Sequence, residues 1–236
     1  MTTKDIRDIF ITKYRNYEFR TIGNEVQQSN TIEIQNAHFI ADDDWIIRKP
    51  NYEYAKQEID WYLSQSRSVN DIPGGAPAMW KACADKDGMI NSNYGWCIFS
   101  KENGSQYDNV LNKLEQDPHT REAIMIYNRP SMWQEYNKNG MHDFMCCQNQ
   151  QYFLNTRLGE IYLDVIVNFR SNDAVFGYCN DYLWSKFVLE ALADELSNRM
   201  LTTVNPGIIY WNAGSLHVYE RHFKFIEKLM TDENNS

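Results

Sequence analysis

Apolar side chains recur at three- and four-residue steps in several parts of the chain, and this spacing predicts amphipathic helices. The first set is Ile6, Ile9, Phe10, Tyr14 and Tyr17, which would form one face of an opening helix. Similar spacing predicts further helices over residues 54–63, 181–200 and 221–230. The helix over 181–200 is apolar around much of its surface, so we expect it to be largely buried.

Alternating apolar and polar residues, or short apolar runs, predict strands at 31–40, 123–130, 144–154, 160–169 and 207–219. The short connection between 144–154 and 160–169 predicts that these two strands form a hairpin. Strands separated by long helices are typical of an α+β fold, here a sheet packed on one face by helices. Because the sequence contains neither repeats nor a long Pro- or Gly-rich linker, residues 1–236 are predicted to form a single domain.

Composition and charge exclude several classes of protein. The chain of 236 residues carries 23 Lys and Arg against 32 Asp and Glu, a formal net charge of -9. A surface this acidic repels phosphate backbones, so general nucleic-acid binding is disfavoured, although a local pocket for one small anion is still allowed. Because the sequence lacks an apolar run of about 18 residues and a signal-peptide pattern, we expect no membrane partner and a cytoplasmic location.

The cysteines give no sign of a metal site. Their positions are 83, 97, 146, 147 and 179, without a CxxC pair or a histidine at zinc-ligand spacing. Reduced thiols and no metal are therefore predicted. Aromatic residues reach 14% of the chain, and flat aromatic side chains can form the walls of a site for ring-shaped ligands.

Cys146 and Cys147 lie at the start of a predicted strand, where a thiol can face a cleft and act as a nucleophile. Neighbouring side chains on a strand point to opposite faces, so only one of the two can face a given pocket. The alternative is that both are small core residues, since free cysteine is among the most buried residue types.

Three other segments contain candidate site residues, and each segment can also be explained by a structural role alone. Residues 170–181 hold acids, amides, an arginine and a serine beside a strand end, but they could form a solvated loop in which Asp181 caps the next helix. His217 and Tyr219 share one face of a strand and could be core residues. Residues 91–96 could be a turn leading into a strand.

The candidates share an order along the chain: Cys146, Gln151, Arg170, Ser171, Asp173, Gly177, Asp181, His217 and Tyr219. This order and spacing resembles the thymidylate synthase family. A wider set of segments is similar to the phage branch of that family, the deoxycytidylate hydroxymethylases of T-even type: TIEI, EIDWY, NSNYGW, IMIY, RPSM, YNKNGM, DFMC, RSNDAVFG, ND and GSLHVY. The similarity runs from about residue 31 to residue 223, which implies a thymidylate-synthase-like fold with a mixed sheet.

The resemblance implies a covalent mechanism. Cys146 matches the thiolate that adds to C6 of a pyrimidine nucleotide, so that C5 can attack the one-carbon unit of 5,10-methylenetetrahydrofolate. Arg170 is the matching cation that would lower the pKa of this thiol. Glu58 matches the glutamate that organises water and proton transfers. In the hydroxymethylase branch water captures the intermediate, whereas in the synthase the folate reduces it.

Asp181 bears on the choice of base. Uracil presents an N3–H donor beside an O4 acceptor, which an asparagine amide would satisfy, while cytosine presents the reverse pattern at these atoms. A carboxyl that accepts from the 4-amino group and shares a proton with N3 therefore points to dCMP.

The resemblance gives the remaining site residues their roles. The folate would contact Trp80, Asp173 and Gly177. The sugar 3′-hydroxyl would bind to His217 and Tyr219, and the phosphate to Arg20 and Arg121. The rest of the nucleotide site would be formed by Tyr94, Gln151, Arg170, Ser171 and Asn172.

Some features depart from the family pattern. The pair of adjacent arginines that reaches the phosphate of the neighbouring subunit is replaced by Arg121 and Glu122, and Arg20 is the only obvious cation of the N-terminal phosphate loop. The chain ends in TDENNS instead of the apolar residue that closes the synthase site, and a more open site would admit water. The shared phosphate site implies a homodimer, formed through the sheet.

We therefore predict a dCMP 5-hydroxymethyltransferase, working in the host cytoplasm if it is encoded by a phage. A dCMP methylase that keeps the reductive step is the first alternative. A nucleotide-binding homologue that has lost catalysis is the second, although the presence of both Cys146 and Glu58 argues against it. A binder of single-stranded nucleic acid is disfavoured by the net charge.

Overall fold

The computed structural model describes residues 1–23 and 28–233. Its helices are α1 (Thr3–Arg15), α2 (Tyr52–Ser64), α3 (Ala78–Cys83), α4 (Tyr94–Phe99), α5 (Gln106–Gln116), α6 (Met132–Glu135), α7 (Gly177–Met200) and α8 (Phe223–Glu233). Its strands are β1 (Arg20–Gly23), β2 (Gln28–Ile40), β3 (Ile124–Ile126), β4 (Cys147–Arg157), β5 (Glu160–Phe169), β6 (Asn172–Asp173) and β7 (Val204–Tyr219). The predicted α+β fold is confirmed.

The strands of the described residues form one mixed sheet in the order β1-β2-β7-β5-β4-β3, with β6 beside β7. β7 runs parallel to β5 and to β6, whereas the other neighbouring strands are antiparallel. A connection between parallel neighbours needs a crossover of a dozen or more residues, and α7 is the crossover between β6 and β7. The first turn of α7 therefore follows directly after β6.

The predicted hairpin of β4 and β5 is confirmed. Leu158 and Gly159 connect the two strands with φ angles of 51° and 86°, the pair of positive values that a type I′ turn requires. One face of the sheet, including Val167 of β5 and Trp211 of β7, is fully buried in the core with Trp184 of α7. Although α7 has 24 residues, neither it nor another helix of the described ranges is long and apolar enough to cross a membrane.

The opposite face of the sheet carries a ladder of polar side chains. Asn149 of β4 and Asn168 of β5 are joined by a hydrogen bond of 2.8 Å, and Asn168 and Asn212 of β7 by one of 3.0 Å. His38 of β2 extends the ladder by a bond to Asn212. The three asparagines are only half-buried and His38 is exposed, so this face remains partly accessible in a single chain.

Residues 91–96 begin a helix, so the interpretation of this segment as a turn leading into a strand is wrong. Asn93 caps α4, because its side chain accepts a hydrogen bond of 2.7 Å from the backbone N–H of Trp96. Gly95 lets α4 touch α2, since a Cβ at this position would lie 1.8 Å from the carbonyl oxygen of Tyr62. The contact stacks the rings of Tyr62 and Tyr94 at 5.1 Å.

Candidate active site

A cavity of about 680 Å³ opens where α2, the first turns of α7 and the ends of β6 and β7 meet. Most of the predicted site residues line it: Glu58, Trp80, Tyr94, Cys146, Ser171, Asn172, Asp173, Gly177, Asp181, His217 and Tyr219. The fold therefore gathers into one place residues that are up to 161 positions apart in the sequence, from 58 to 219.

Cys146, immediately before β4, is the cysteine of the pair that lines the cavity, while Cys147 is fully buried in the core. Arg170 fixes the thiol from two directions. Its backbone N–H donates to the carbonyl of Cys146 at 2.9 Å, and its Nη2 lies 3.6 Å from Cys146 Sγ. The same guanidinium donates to the carbonyl oxygens of Phe144 and Met145 at 2.6 and 3.0 Å, so its position is set by the backbone around the thiol.

Burial dominates the charge state of Cys146. It raises the pKa of the thiol to about 11, although Arg170 acts in the opposite direction. Arg170 therefore does lower the pKa of the thiol, as expected, but its effect is smaller than that of burial. The expectation that the pKa of the thiol is lowered overall is wrong. The cause is that the free-energy cost of removing a thiolate from water is larger than the stabilisation that one partly exposed cation provides.

Asp143 is a buried acid of the cavity that the sequence analysis missed. Its carboxylate accepts hydrogen bonds from the backbone N–H groups of Asn91 and Ser92, both at 2.7 Å, and from Ser92 Oγ at 2.6 Å. Burial raises the pKa of Asp143 against these bonds. The bonds fasten the segment that carries Cys146 to the segment that precedes α4, and so they position Tyr94.

Glu58 projects from α2 into the cavity and is 5% exposed. Its Oε1 accepts from Tyr54 Oη at 2.6 Å and from Trp80 Nε1 at 2.7 Å. Burial raises the pKa of Glu58, whereas hydrogen bonds from Tyr54, Trp80 and Asn180 lower it. Because the indole N–H of Trp80 already donates to Glu58, Trp80 can contact a ligand only through the face or edge of its ring. Tyr54 lies four residues before Glu58, one helical turn, and this spacing could have identified it in the sequence.

Asp181 lies inside α7, four residues after the first residue of the helix, so the alternative that it caps this helix is wrong. Its Oδ2 accepts a hydrogen bond of 2.7 Å from Asn172 Nδ2, and the hydroxyl of Tyr94 is a second partner. Burial, and then the charge of Glu58, raise the pKa of Asp181 well above its ordinary value. The protonated form favoured by this environment can both donate and accept hydrogen bonds.

His217 presents a hydrogen-bond acceptor to the cavity. Ser215 Oγ donates to the carboxylate of Glu33 at 2.5 Å and lies 3.3 Å from His217 Nδ1. Because the hydroxyl hydrogen is used on Glu33, Nδ1 must be the donor in its bond to Ser215. Burial lowers the pKa of His217 and so favours the neutral ring, which leaves the buried, unpaired Nε2 as an acceptor for a ligand hydroxyl.

The wall formed by Asp173 and Gly177 lies at the entry to α7. The carboxylate of Asp173 accepts from the backbone N–H groups of Val175 and Phe176 at 3.1 and 3.3 Å, so it also stabilises the turn before the helix. Phe176 is 40% exposed and stacks under the guanidinium of Arg48 at 4.9 Å. Arg48 lines the cavity and was not predicted as a site residue.

Four predicted site residues do not line this cavity: Arg170, which contacts the Cys146 thiol, and Arg20, Arg121 and Gln151. Arg20 forms an ion pair with Glu33 and lines a separate shallow depression beside β1. Gln151 donates to the backbone carbonyl of Arg121 at 2.9 Å, and its position in β4 alternates with the buried Gln150, so it faces the side of the sheet that carries the polar ladder. In a single chain Arg20, Arg121 and Gln151 are not brought to the cavity.

The cavity also contains thiols that the sequence analysis left without a role. Cys83 and Cys179 both line it, and burial raises the pKa of each, that of Cys179 to about 12. Across residues 1–23 and 28–233, no three His, Cys, Asp or Glu side chains are grouped so that they could hold a metal ion.

Comparisons with known proteins agree with this geometry. The family model described as thymidylate synthase matches residues 29–236. The chain belongs to the thymidylate synthase family. It is 48% identical over 198 residues to the deoxycytidylate 5-hydroxymethyltransferase of Enterobacteria phage T4, covering 84% of this chain and 79% of that protein.

Two Bacillus members of the thymidylate synthase family have lower sequence identity to this chain. The thymidylate synthase of Bacillus subtilis subsp. natto is 26% identical over 194 residues, covering 79% of this chain and 64% of the relative. The solved structure of thermostable thymidylate synthase A from Bacillus subtilis superposes with a TM-score of 0.66 at 20% identity, covering 98% of this chain and 84% of that chain. The predicted thymidylate-synthase-like fold is thus confirmed.

We expect ligand-free Cys146 to be alkylated slowly by iodoacetamide near neutral pH. Because its thiol pKa is about 11, the rate should rise about tenfold per pH unit without a plateau up to about pH 9.5. Peptide mass mapping assigns the label to Cys146. Replacing Arg170→Gln removes the nearby cation and should slow the reaction further at every pH, whereas Cys147→Ser should leave it unchanged. A plateau below about pH 9 would contradict this account.

Proposed function

We propose that this chain transfers a hydroxymethyl group to C5 of dCMP, with 5,10-methylenetetrahydrofolate as the one-carbon donor and water as the final nucleophile. The relatives named deoxycytidylate 5-hydroxymethyltransferase, at 48% identity over 84% of the chain, support this choice. The observation on which the proposal rests most heavily is the half-buried Asp181 carboxyl, with its raised pKa, in the same cavity as the Cys146 thiol.

The carboxyl of Asp181 fits the base edge of cytosine. A protonated carboxyl donates to N3 with one oxygen and accepts from the 4-amino group with the other. Uracil would place its N3–H against the carboxyl O–H and its O4 against the accepting oxygen. Because polar groups left unpaired in a buried site cost about 1–3 kcal/mol each, this arrangement favours dCMP over dUMP.

Cys146 would supply the covalent step. Loss of the thiol proton lets Sγ bond to C6 while the C5–C6 double bond opens, which turns C5 into a nucleophile. Arg170, 3.6 Å from Sγ, stabilises the thiolate as it forms. The raised pKa of the free thiol means that this deprotonation is coupled to substrate binding and does not precede it.

Glu58 would position the water that completes hydroxymethylation. Tyr54 and Trp80 both donate to its Oε1, and Asn180 is a further hydrogen-bond partner, so the carboxyl is held in place at the cavity. Since burial raises its pKa, Glu58 is a stronger base than an exposed glutamate and is suited to exchange a proton with water. It is thus suited to take the proton from the attacking water at the exocyclic carbon.

The outer part of the cavity fits a folate. Pro77, Met79, Trp80 and Phe176 line it with apolar surface, and the aromatic rings of Trp80 and Phe176 are flat enough to stack on ring systems. Asp173 and Gly177 lie beside them. When bound, the folate supplies a one-carbon unit at the oxidation level of formaldehyde. These residues would hold and orient it.

The two alternatives make different predictions. A methylase would share the nucleotide site and differ in how the intermediate is quenched. The C-terminal difference that favoured water includes residues 234–236, which lie outside the described residues. A catalytically inactive homologue would not need Cys146, Glu58 and Asp181 in a single cavity, so their convergence is an argument against it.

We expect the products to be 5-hydroxymethyl-dCMP and tetrahydrofolate. Mass spectrometry of the nucleotide should show the added hydroxymethyl group, and no dihydrofolate absorbance should develop during turnover. Cys146→Ser should abolish turnover and Cys147→Ser should retain most of it, because only the first thiol lines the cavity. Glu58→Gln should slow quenching of the intermediate more than nucleotide binding. A methylated product with dihydrofolate would establish the methylase instead.

We expect Asp181→Asn to change the base preference. The amide offers N–H to O4 and C=O to N3–H, so kcat/KM should fall for dCMP and rise for dUMP, moving their ratio by about 10²-fold or more. Measurement of kcat/KM for both nucleotides on both proteins tests this. An unchanged ratio would remove the reason for assigning cytosine as the base.

We also propose that residues 1–236 act as a single domain in the cytoplasm, in the host cell if a phage encodes the chain. One sheet and one shared core support the first part. All five cysteines are free thiols, as cytoplasmic proteins normally keep them. The nucleotide partner is dCMP, and the net charge of -9 argues against direct nucleic-acid binding.

The face of the sheet that carries the polar ladder supports a homodimer. Half-buried Ile166 and Tyr210 lie on this face, and Ile126 of β3, paired with Asn149, is 53% exposed. Gln151 shares this face, and its side chain is bonded to the backbone of Arg121. Dimerisation through this face would bring Arg121 near a neighbouring subunit, where it could serve a phosphate that it does not reach in its own chain.

Sedimentation velocity should therefore give about twice the chain mass of 27.9 kDa. Ile166→Arg places a charge in the centre of the proposed contact and should shift the protein towards monomer. Lys186→Glu, on the surface of α7, reverses a charge elsewhere and should not. A monomer at micromolar concentration would contradict this proposal.

A further inference from the structure

Buried polar atoms without a partner are uncommon in folded proteins, and those that line a cavity are candidates for contact with a ligand. Among the described residues these atoms are Asn172 Oδ1, Trp211 Nε1, His217 Nε2 and His222 Nδ1. The tryptophan belongs to the core, but the other three residues line the cavity. A lost hydrogen bond that is not replaced is costly, so these atoms are expected to gain partners when the cavity is filled.

Asn172 is the member of this set that touches the proposed base-reading carboxyl. It lies in β6, which pairs with β7 opposite Leu216, and it is 3% exposed. Its Nδ2 donates to Asp181 Oδ2 at 2.7 Å. One end of the amide thus holds the carboxyl of Asp181, while the other end, Oδ1, is an acceptor without a donor.

Gly177 leaves space beside this pair. A Cβ at position 177 would lie 3.6 Å from Asn172 Nδ2, 3.7 Å from Asp181 Oδ2 and 3.3 Å from Asp173 Cβ. A larger side chain at 177 would therefore press on the hydrogen bond between Asn172 and Asp181. With glycine, the pair stays open on that side of the cavity.

We infer that Asn172 is a specificity-determining residue, whose Oδ1 accepts a hydrogen bond from the exocyclic amino group of cytosine while its Nδ2 fixes the orientation of Asp181. This inference rests on the proposed function. An amino group has two N–H donors, and two neighbouring acceptors, one on Asp181 and one on Asn172, satisfy both. The O4 of uracil would face both acceptors with its own lone pairs, so the same pair rejects uracil.

The competing explanation is that Asn172 only positions Asp181. The two explanations separate with the 4-deamino analogue of dCMP, which is the 2-pyrimidinone deoxyribonucleoside 5′-monophosphate. This analogue keeps N3 as the partner of Asp181 but lacks the amino group. Loss of a residue that only positions Asp181 would weaken binding of dCMP and of the analogue alike, whereas loss of a residue that also accepts from the amino group would weaken binding of dCMP by a larger factor.

The experiment measures dissociation constants by calorimetry on full-length protein carrying Cys146→Ser, so that no covalent adduct forms. Asn172→Ala in this background should weaken dCMP binding by about 10- to 100-fold and binding of the analogue by a smaller factor, so that the loss for dCMP exceeds the loss for the analogue by about fivefold or more. Asn109→Ala, an exposed amide on α5 that donates to the carbonyl of Gly104 at 2.7 Å, is the matched control and should change neither.

Equal losses for both ligands, or no loss for either, would overturn the inference. Asn172→Ser, which keeps a short polar side chain, is the second variant if the alanine protein does not fold. Independently of both variants, the protein with intact Asn172 should bind dCMP about tenfold or more tightly than the analogue, and equal affinities would also overturn it. If that protein bound no dCMP at all, the proposed function itself would fail.

Discussion

Parallel pairing of β7 with β5 and with β6 forces the chain to make a long crossover, and the site depends on where that crossover begins. β5 ends at Phe169, β6 follows at Asn172–Asp173, and α7 starts at Gly177. The hydrogen bonds of the sheet fix the first two positions, so the first turns of α7 can only be built beside them. Asp181 therefore lies within hydrogen-bond distance of Asn172. The same sheet also places the C-terminal end of β7, with His217, at the cavity.

In this cavity, desolvation has a larger effect on the pKa values of the ionisable side chains than any ion pair does. Cys146, Asp143, Glu58 and Asp181 all have their pKa values raised, with burial as the largest cause in each case. Several anions in so small a volume would repel one another, and burial shifts each of these groups towards its protonated form. A nucleotide that arrives with hydrogen-bonding groups of its own changes this balance, which links reactivity of the thiol to occupancy of the site.

The sequence was sufficient where periodicity or a local turn determines structure. The bounds of β5 match the predicted 160–169. The hairpin with β4 was predictable because the connection between the two strands is short, and it consists of Leu158 and Gly159. The start of α7 was misjudged because Asp181 has the residue type of a helix cap, and tertiary contacts with Asn172 overrode that preference. Helix α4 was missed because its six residues are too few to show a period, although the cap at Asn93 was visible.

The site was only partly predictable for a related reason. Tyr54 is separated from Glu58 by one helical turn and could have been found from spacing alone, but Asp143 acts on a backbone segment 51 residues away, and no local pattern reports such a contact. Arg20 and Arg121 show the limit of transferring roles by position, because each has the expected residue type and neither lies at the cavity of its own chain.

The unpaired acceptors say more about the ligand than the acidic groups do. His217 Nε2 and Asn172 Oδ1 are both buried and both lack a donor. The deoxyribose 3′-hydroxyl and the 4-amino group are donors at two well-separated points of dCMP. dUMP has the first of these donors and an acceptor in place of the second. Under the proposed function, a cavity for uracil would need a hydrogen-bond donor where Asn172 has an unpaired oxygen, so Asn172 and Asp181 would both favour dCMP over dUMP.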